Sequence, residues 1–126
     1  MNKNPRFKIG PVIRNVSPTT VNVIWEGTLE NSECADHFDI LFWKTNSINS
    51  DRRKLRNKKG NSVLVGVAPN TIYTFQVYVT EVAGTGWNKL CQLVLVKDDW
   101  SSEVTITTLN HGKVYLKLSL TDTMYL

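Results

Sequence analysis

The 126-residue sequence predicts an all-β chain folded as an antiparallel sandwich of two sheets. Three observations carry this. The stretch Ile72 to Thr80 alternates over its whole length, with Tyr73, Phe75, Val77 and Val79 on one face and Thr74, Gln76, Tyr78 and Thr80 on the other; that period of two marks a strand with one buried face. Several further short apolar runs are separated by Pro, Gly, Asn and Ser, and no segment of helical period interrupts them. Ahead of the long strand, Pro69-Asn70 bends the chain, and Tyr73 stands where its hydroxyl can reach back to the backbone of that bend.

Taken in order, residues 1–10 are polar and basic and read as an N-terminal extension ending at the breaker Gly10-Pro11. The first strand covers Val12 to Val16, and Ser17-Pro18-Thr19-Thr20 is a turn signal. In the second strand Val21, Val23 and Trp25 share a face. Glu26 to Asp36 reads as a loop, because it is polar and without apolar period. Phe38 to Lys44 is the third strand, with Phe38, Ile40 and Phe42 inward and Leu41 and Trp43 outward. Thr45 to Gly60 is polar, with room for a short strand around Arg53–Arg56. Ser62 to Val65 is the next strand, with Leu64 and Val67 expected in the core, followed by the long strand. After Gly84-Thr85-Gly86, a turn signal, the apolar run Leu90 to Val96 fits an added strand in an expanded loop. Glu103 to Thr108 is the last strand of the sandwich, with Val104 and Ile106 inward.

Composition narrows the function classes. The hydrophobic content of 41% and charged content of 21% fit a packed domain. No apolar run approaches the roughly 18 residues that span a bilayer. The start, Met1 to Arg6, lacks the apolar core of a secretory signal, so the chain reads as intracellular or, in the preferred reading, as a piece of a longer protein. The net charge of +4 is local: Arg52, Arg53, Lys54, Arg56, Lys58 and Lys59 supply six of the 15 basic residues, and the other nine face 11 acids. That cluster reads first as a solvated loop and second as a polyanion-docking patch. No aromatic residue is interleaved in it, which argues against single-stranded nucleic acid.

Catalytic signatures are missing from the sequence. His37 and His111 stand far apart and outside any ligand or nucleophile spacing, and Gly84-Thr85-Gly86 lacks the Lys and helix of a phosphate loop. The expectation is a non-enzyme without cofactor or metal. Asn15-Val16-Ser17 is a glycosylation sequon followed directly by Pro18. Trp43, Tyr78, Trp87 and Trp100 are expected to be more exposed than Trp25, as contacts for a protein partner or as cover beneath long loops.

The strand pattern resembles a fibronectin type III domain, an immunoglobulin-like sandwich of seven strands, from about Pro11 to Thr108. The resemblance rests on Thr19-Thr20-Val21-Asn22-Val23-Ile24-Trp25, on Leu64-x-x-Val67-x-Pro69-x-Thr71-x-Tyr73 with Phe75 and Val77, and on Ala83-Gly84-x-Gly86. The closing run Ser102 to Thr108 completes it. It implies that Trp25 is the buried tryptophan and Tyr73 the corner tyrosine, with Leu64, Val67, Pro69, Thr71, Phe75 and Val77 maintaining the fold. This sequence departs from the family in the length of Gly86 to Ser101, an expanded F–G loop between the sixth and seventh strands. It departs also in the tail 109–126, whose alternation fits the first strand of a next domain or an extra strand. The tail's opening, Leu109-Asn110-His111-Gly112-Lys113-Val114, is faintly similar to neuron-derived neurotrophic factor-like secreted proteins.

In such a sandwich the loops that hold Cys34 and Cys91 emerge from one end, so the two thiols either pair or remain separate. The resemblance implies a non-catalytic extracellular or cell-surface interaction or adhesion module of a larger protein. The alternatives are an intracellular scaffold module, or an accessory module binding sulfated glycosaminoglycan through residues 52–59.

Overall fold

The computed structural model describes residues 5–47, 52–82 and 100–110. Nine strands and one short 3₁₀ helix are found there: β1 (Arg6–Phe7), β2 (Val12–Ser17), β3 (Thr20–Ile24), β4 (Leu29–Glu30), η1 (Ser32–Cys34), β5 (Ala35–Lys44), β6 (Arg53–Lys58), β7 (Ser62–Gly66), β8 (Ile72–Val82) and β9 (Val104–Thr107). Seven of them build the sandwich. A three-stranded sheet in the order β2-β3-β7 faces a four-stranded sheet in the order β6-β5-β8-β9, and every pairing is antiparallel. The two-residue strands β1 and β4 form a small separate pair.

The core lies between the sheets. Val21, Val23, Trp25 and Val65 come from one side, and Phe38, Ile40, Phe42, Tyr73, Phe75, Val77 and Val79 from the other. Each set follows the period of two, so each strand buries one face. Trp25, only 1% exposed, packs its ring 5.0 Å from Phe38, and Phe42 stacks on Phe75 at 5.8 Å. A buried indole needs an acceptor for its N–H. Trp25 Nε1 donates to the carbonyl of Gly60 at 2.8 Å, in the turn between β6 and β7. Gly60 adopts φ of 88°, which L side chains rarely take, and this turns the carbonyl toward the indole.

The bend before β8 is held as the sequence implied, and by more than one residue. The Ala68 N–H donates to the Tyr73 hydroxyl at 2.9 Å, and Asn70 sits in the left-handed region at φ 51°. Thr108, absent from the sequence-based core, is the second clamp. Its hydroxyl donates to the Ala68 carbonyl at 2.7 Å and accepts from the Thr71 N–H at 2.8 Å. Half-buried Pro69 and Thr71 support the turn from within it, Thr71 Oγ1 donating to the Pro69 carbonyl at 2.8 Å.

Four expectations are corrected. Leu64 is not in the core: it is 61% exposed on the outer face of β7, whereas Val65 beside it is 2% exposed. The reason is register. Val65 lies opposite Val21 and Val63 opposite Val23, both inward residues, while Leu64 lies opposite Asn22. Val67 is partly buried and packs against the core from beyond the strand's end. The basic segment is not a solvated loop: the short strand allowed around Arg53–Arg56 is present, runs from Arg53 to Lys58 and forms the edge of the four-stranded sheet. Residues 26–36 hold β4 and η1 and contribute Leu29 and Cys34 to the core. Finally, the N-terminal residues from 5 onward belong to the packed unit. Pro5 is buried, Phe7 packs on the core and Lys8 N–H donates to the Thr28 carbonyl at 2.8 Å.

The added strand expected over Leu90 to Val96, the turn at Gly84 to Gly86, Trp87, Cys91 and the tail from His111 lie outside the described residues.

Candidate interaction surface

Because β5 and β8 alternate, burying Phe38, Ile40 and Phe42 sends Asp39, Leu41 and Trp43 to the outer face, where they lie opposite Tyr78, Gln76 and Thr74 of β8. On the other side of β5, Lys54 of β6 lies opposite Leu41. The outer face of the four-stranded sheet thus collects two aromatic side chains and basic groups from β6. A third aromatic residue arrives from outside the regular strands. Trp100 bridges to Tyr78, and the rings stack at 4.1 Å with 16° between planes.

Ser101 makes that arrival possible. Its N–H donates to the Val77 carbonyl at 2.8 Å, and its hydroxyl accepts the Val77 N–H at 2.9 Å while donating to the Ser102 carbonyl. A side-chain oxygen thus takes over a bond that a regular ladder would give to backbone. The chain remains attached to β8 without following strand geometry, and Trp100 is laid onto the outer face.

The array is cationic as well as aromatic. The Arg52 guanidinium lies 4.0 Å from the centroid of the Trp43 ring, and Lys54 Nζ lies 5.4 Å from that of Tyr78. The Tyr78 hydroxyl donates to Asp39 Oδ2 at 3.1 Å. Cation–π contacts of this kind contribute about 0.5–1 kcal/mol each on a surface and more when water is excluded. With Arg52 over its ring, Trp43 is only 7% exposed, whereas Trp100 remains 41% exposed. Beside the rings, the hydroxyls of Thr45, Thr74 and Thr105 form a short chain with spacings of 2.8 and 3.0 Å.

The six basic residues singled out in the sequence do not act as one patch. Arg52 and Lys54 join the aromatic array. Arg53 lies opposite the inward Phe42, and Lys58 opposite the inward Phe38. Arg56 and Lys59 are exposed. Asn15 is exposed on β2, and its amide donates to the Thr107 carbonyl at 3.2 Å, a bond that glycosylation would have to release. Cys34 is fully buried and is not a free thiol; Cys91, the other cysteine of the sequence, lies outside the described residues.

Among the described residues no three of His, Cys, Asp and Glu gather into a metal-sized cluster. His37 Nδ1 stands 3.0 Å from Asp36 Oδ2. No helix of the described residues is long and apolar enough to cross a membrane. The array on the outer face was only half legible in the sequence. Tyr78 and Trp43 follow from alternation, but nothing local shows that Trp100 returns to Tyr78.

Comparison with known proteins agrees with this architecture. The family model of the fibronectin type III domain matches residues 4–94. The chain belongs to the fibronectin type III family. Fibronectin type III domains are commonly protein-interaction modules of cell-surface proteins. Similar solved structures include one described as a myokine, with TM-score 0.58 and 17% identity over 87% of this chain and 100% of that one. The fn3 domain of human contactin 1 gives TM-score 0.56 and 14% identity over 87% of this chain and 84% of that one. The FN1–FN3 domains of chicken CNTN1 give TM-score 0.53 and 16% identity over 87% of this chain; the match spans 33% of that three-domain chain. At such identities the likeness shows the fold alone. No curated protein matches the sequence.

Proposed function

We propose that this chain is a non-catalytic interaction or adhesion module of a larger extracellular or cell-surface protein, and that it meets a protein partner through the outer face of its four-stranded sheet. The observation that carries this reading is the stack of Trp100 on Tyr78 with Lys54 beside it. Tryptophan, tyrosine and arginine dominate the energetics of protein interfaces, because they bring large contact area together with a polar handle. Here such side chains are held in place by their own sheet, so little conformational freedom is lost on binding.

The test is to screen the full chain against displayed cell-surface ectodomains and repeat every positive with Trp100→Ala. The expected loss is about tenfold or more in affinity, with an unchanged unfolding midpoint. If the variant binds every partner as the parent does, the face assignment fails.

The extracellular part of the reading includes a Cys34–Cys91 disulfide. It is supported by Cys34 being buried and not free, in a chain with two cysteines. Such a bridge contributes on the order of 4 kcal/mol in the chain-entropy model. Intact mass should rise by two hydrogens on reduction. A mass that does not change favours the intracellular scaffold reading.

Glycosaminoglycan binding is a second reading, favoured by one observation: β6 sets Arg53, Lys54, Arg56 and Lys58 along one sheet edge. Retention on a heparin column should then fall when Arg52, Arg53 and Lys54 are neutralised, and should be weakened by salt. Unchanged retention removes this reading.

A further inference from the structure

On one side of the sandwich the two sheets part. A cleft of about 830 Å³ opens there between edge strand β6 of one sheet and edge strand β7 of the other, with Arg53 and Gly66 among its lining. Its apolar wall is made by Phe42, Tyr73, Val67 and Ala68. Lys44, Arg52 and Arg53, all exposed, supply its charge. Among the described residues no carboxylate lines it.

Among the described residues no strand pairs with the β7 side of this cleft. The Asn61 carbonyl accepts from Trp25 N–H, and the Val67 N–H donates to the Thr19 carbonyl. In an antiparallel ladder the bonding direction alternates, so Val63 and Val65, opposite Val23 and Val21, also turn their backbone groups toward β3. Ser62, Leu64 and Gly66 therefore turn theirs outward, away from β3. Edge strands are ordinarily guarded by charge, proline or a bulge. β7, with the sequence Ser-Val-Leu-Val-Gly, carries no charge and no proline, and its ladder with β3 runs in continuous register.

We propose that the β7 edge and the adjoining cleft form a binding site for an extended acidic peptide of a partner protein, whose backbone pairs with Ser62, Leu64 and Gly66 while its carboxylates meet Lys44, Arg52 and Arg53. Strand addition of this kind takes its affinity from main-chain hydrogen bonds and its specificity from alternate side chains in pockets. The cations, unbalanced by any carboxylate among the described lining residues, select acidic residues at those positions. A second copy of this chain is a poorer occupant, since its own β7 has no acid to offer the cations. A polysaccharide would leave both the outward backbone groups and the apolar wall unused. This site adjoins the outer-face array, sharing Trp43 and Arg52 with it, but β7 and Lys44 belong to the cleft and Tyr78 and Trp100 to the array, so either can fail without the other.

The experiment uses the full ¹⁵N-labelled chain and a synthetic peptide of alternating Glu and Val, with a Gln and Val peptide and a heparin hexasaccharide as controls. The expected result is saturable binding, shifted amide signals at Leu64 and Gly66, and slower amide exchange at both. Affinity should fall about tenfold or more for the Gln peptide and for Arg53→Glu. Gly66→Pro, which removes an outward N–H at a position where an added Cβ meets nothing within 4 Å, should weaken binding similarly. Should that variant not fold, the exchange measurement on the parent chain and the Arg53→Glu titration decide the matter. Three results overturn the proposal: no saturable binding of the Glu peptide, binding with no change at Leu64 and Gly66, or displacement by the hexasaccharide from a site confined to β6.

Discussion

The two strands that border the cleft are both sheet edges, and they are built from opposite chemistry. β6 reads Arg-Lys-Leu-Arg-Asn-Lys, and its pairing with β5 shifts register between Phe38 and Ile40. Charge and irregularity are the usual means by which an edge discourages another strand from adding to it. β7 reads Ser-Val-Leu-Val-Gly, without charge, and exposes Leu64 to solvent. The difference sets a guarded edge beside one that, among the described residues, carries none of these guards, and the proposed strand addition relies on that contrast. Of the β6 cations, Arg53 also lines the cleft beside the neighbouring strand, where Lys44 of β5 and Arg52 join it.

That contrast depends on which side chains of β7 face inward, so the largest expected effect tests its register. Val65→Asp should destabilise the fold by at least about 4 kcal/mol, because it buries an unpaired charge. Leu64→Asp, one residue away, should stay within about 0.5 kcal/mol, as exposed positions do. Denaturant unfolding of the two variants side by side would reverse that order if Leu64 were the inward residue.

Next in size is the clamp that anchors the chain just after β7. Tyr73→Phe should cost about 1–2 kcal/mol, since the Ala68 N–H loses its acceptor. Amide exchange at Ala68 should quicken in that variant while exchange in β6 stays as it was. An unchanged unfolding curve would count against the hydroxyl as a clamp.

The smallest effect belongs to the β6 side. Arg52→Ala uncovers Trp43, and the lost cation–π contact should cost about 0.5–1 kcal/mol. A more sensitive reading is the emission of the sandwich's tryptophans, which should shift to longer wavelength as the Trp43 indole meets water. Equal spectra for parent and variant would show that the guanidinium does not shield the ring.

Much of this architecture was present in local pattern. Alternation over Ile72 to Thr80 and the Pro-Asn bend before it specify a half-buried strand and the place where a phenol hydroxyl can cap the turn, and both are found. Trp25, with Val21 and Val23 on its face, is likewise in the core. These features depend on neighbours only a few residues away. Thr108 could not be found in this way, because the backbone it clamps lies about 40 residues earlier in the chain.

The sequence alone determined that the chain is a sandwich, where its long strand runs and which tyrosine holds the bend, since each of these follows from a period or from a contact of short range. Tertiary structure decided the rest. In β7 either parity of Ser-Val-Leu-Val-Gly supplies apolar side chains, and only the register against Val21 and Val23 turns the valines inward and Leu64 out. In β6 the charges leave room for a short strand but not its full extent or its edge position, because an edge strand can leave its polar groups in water and needs a partner only on the β5 side. Trp100 comes to rest on Tyr78 because Ser101 bonds to Val77, a meeting of distant segments that no local periodicity encodes.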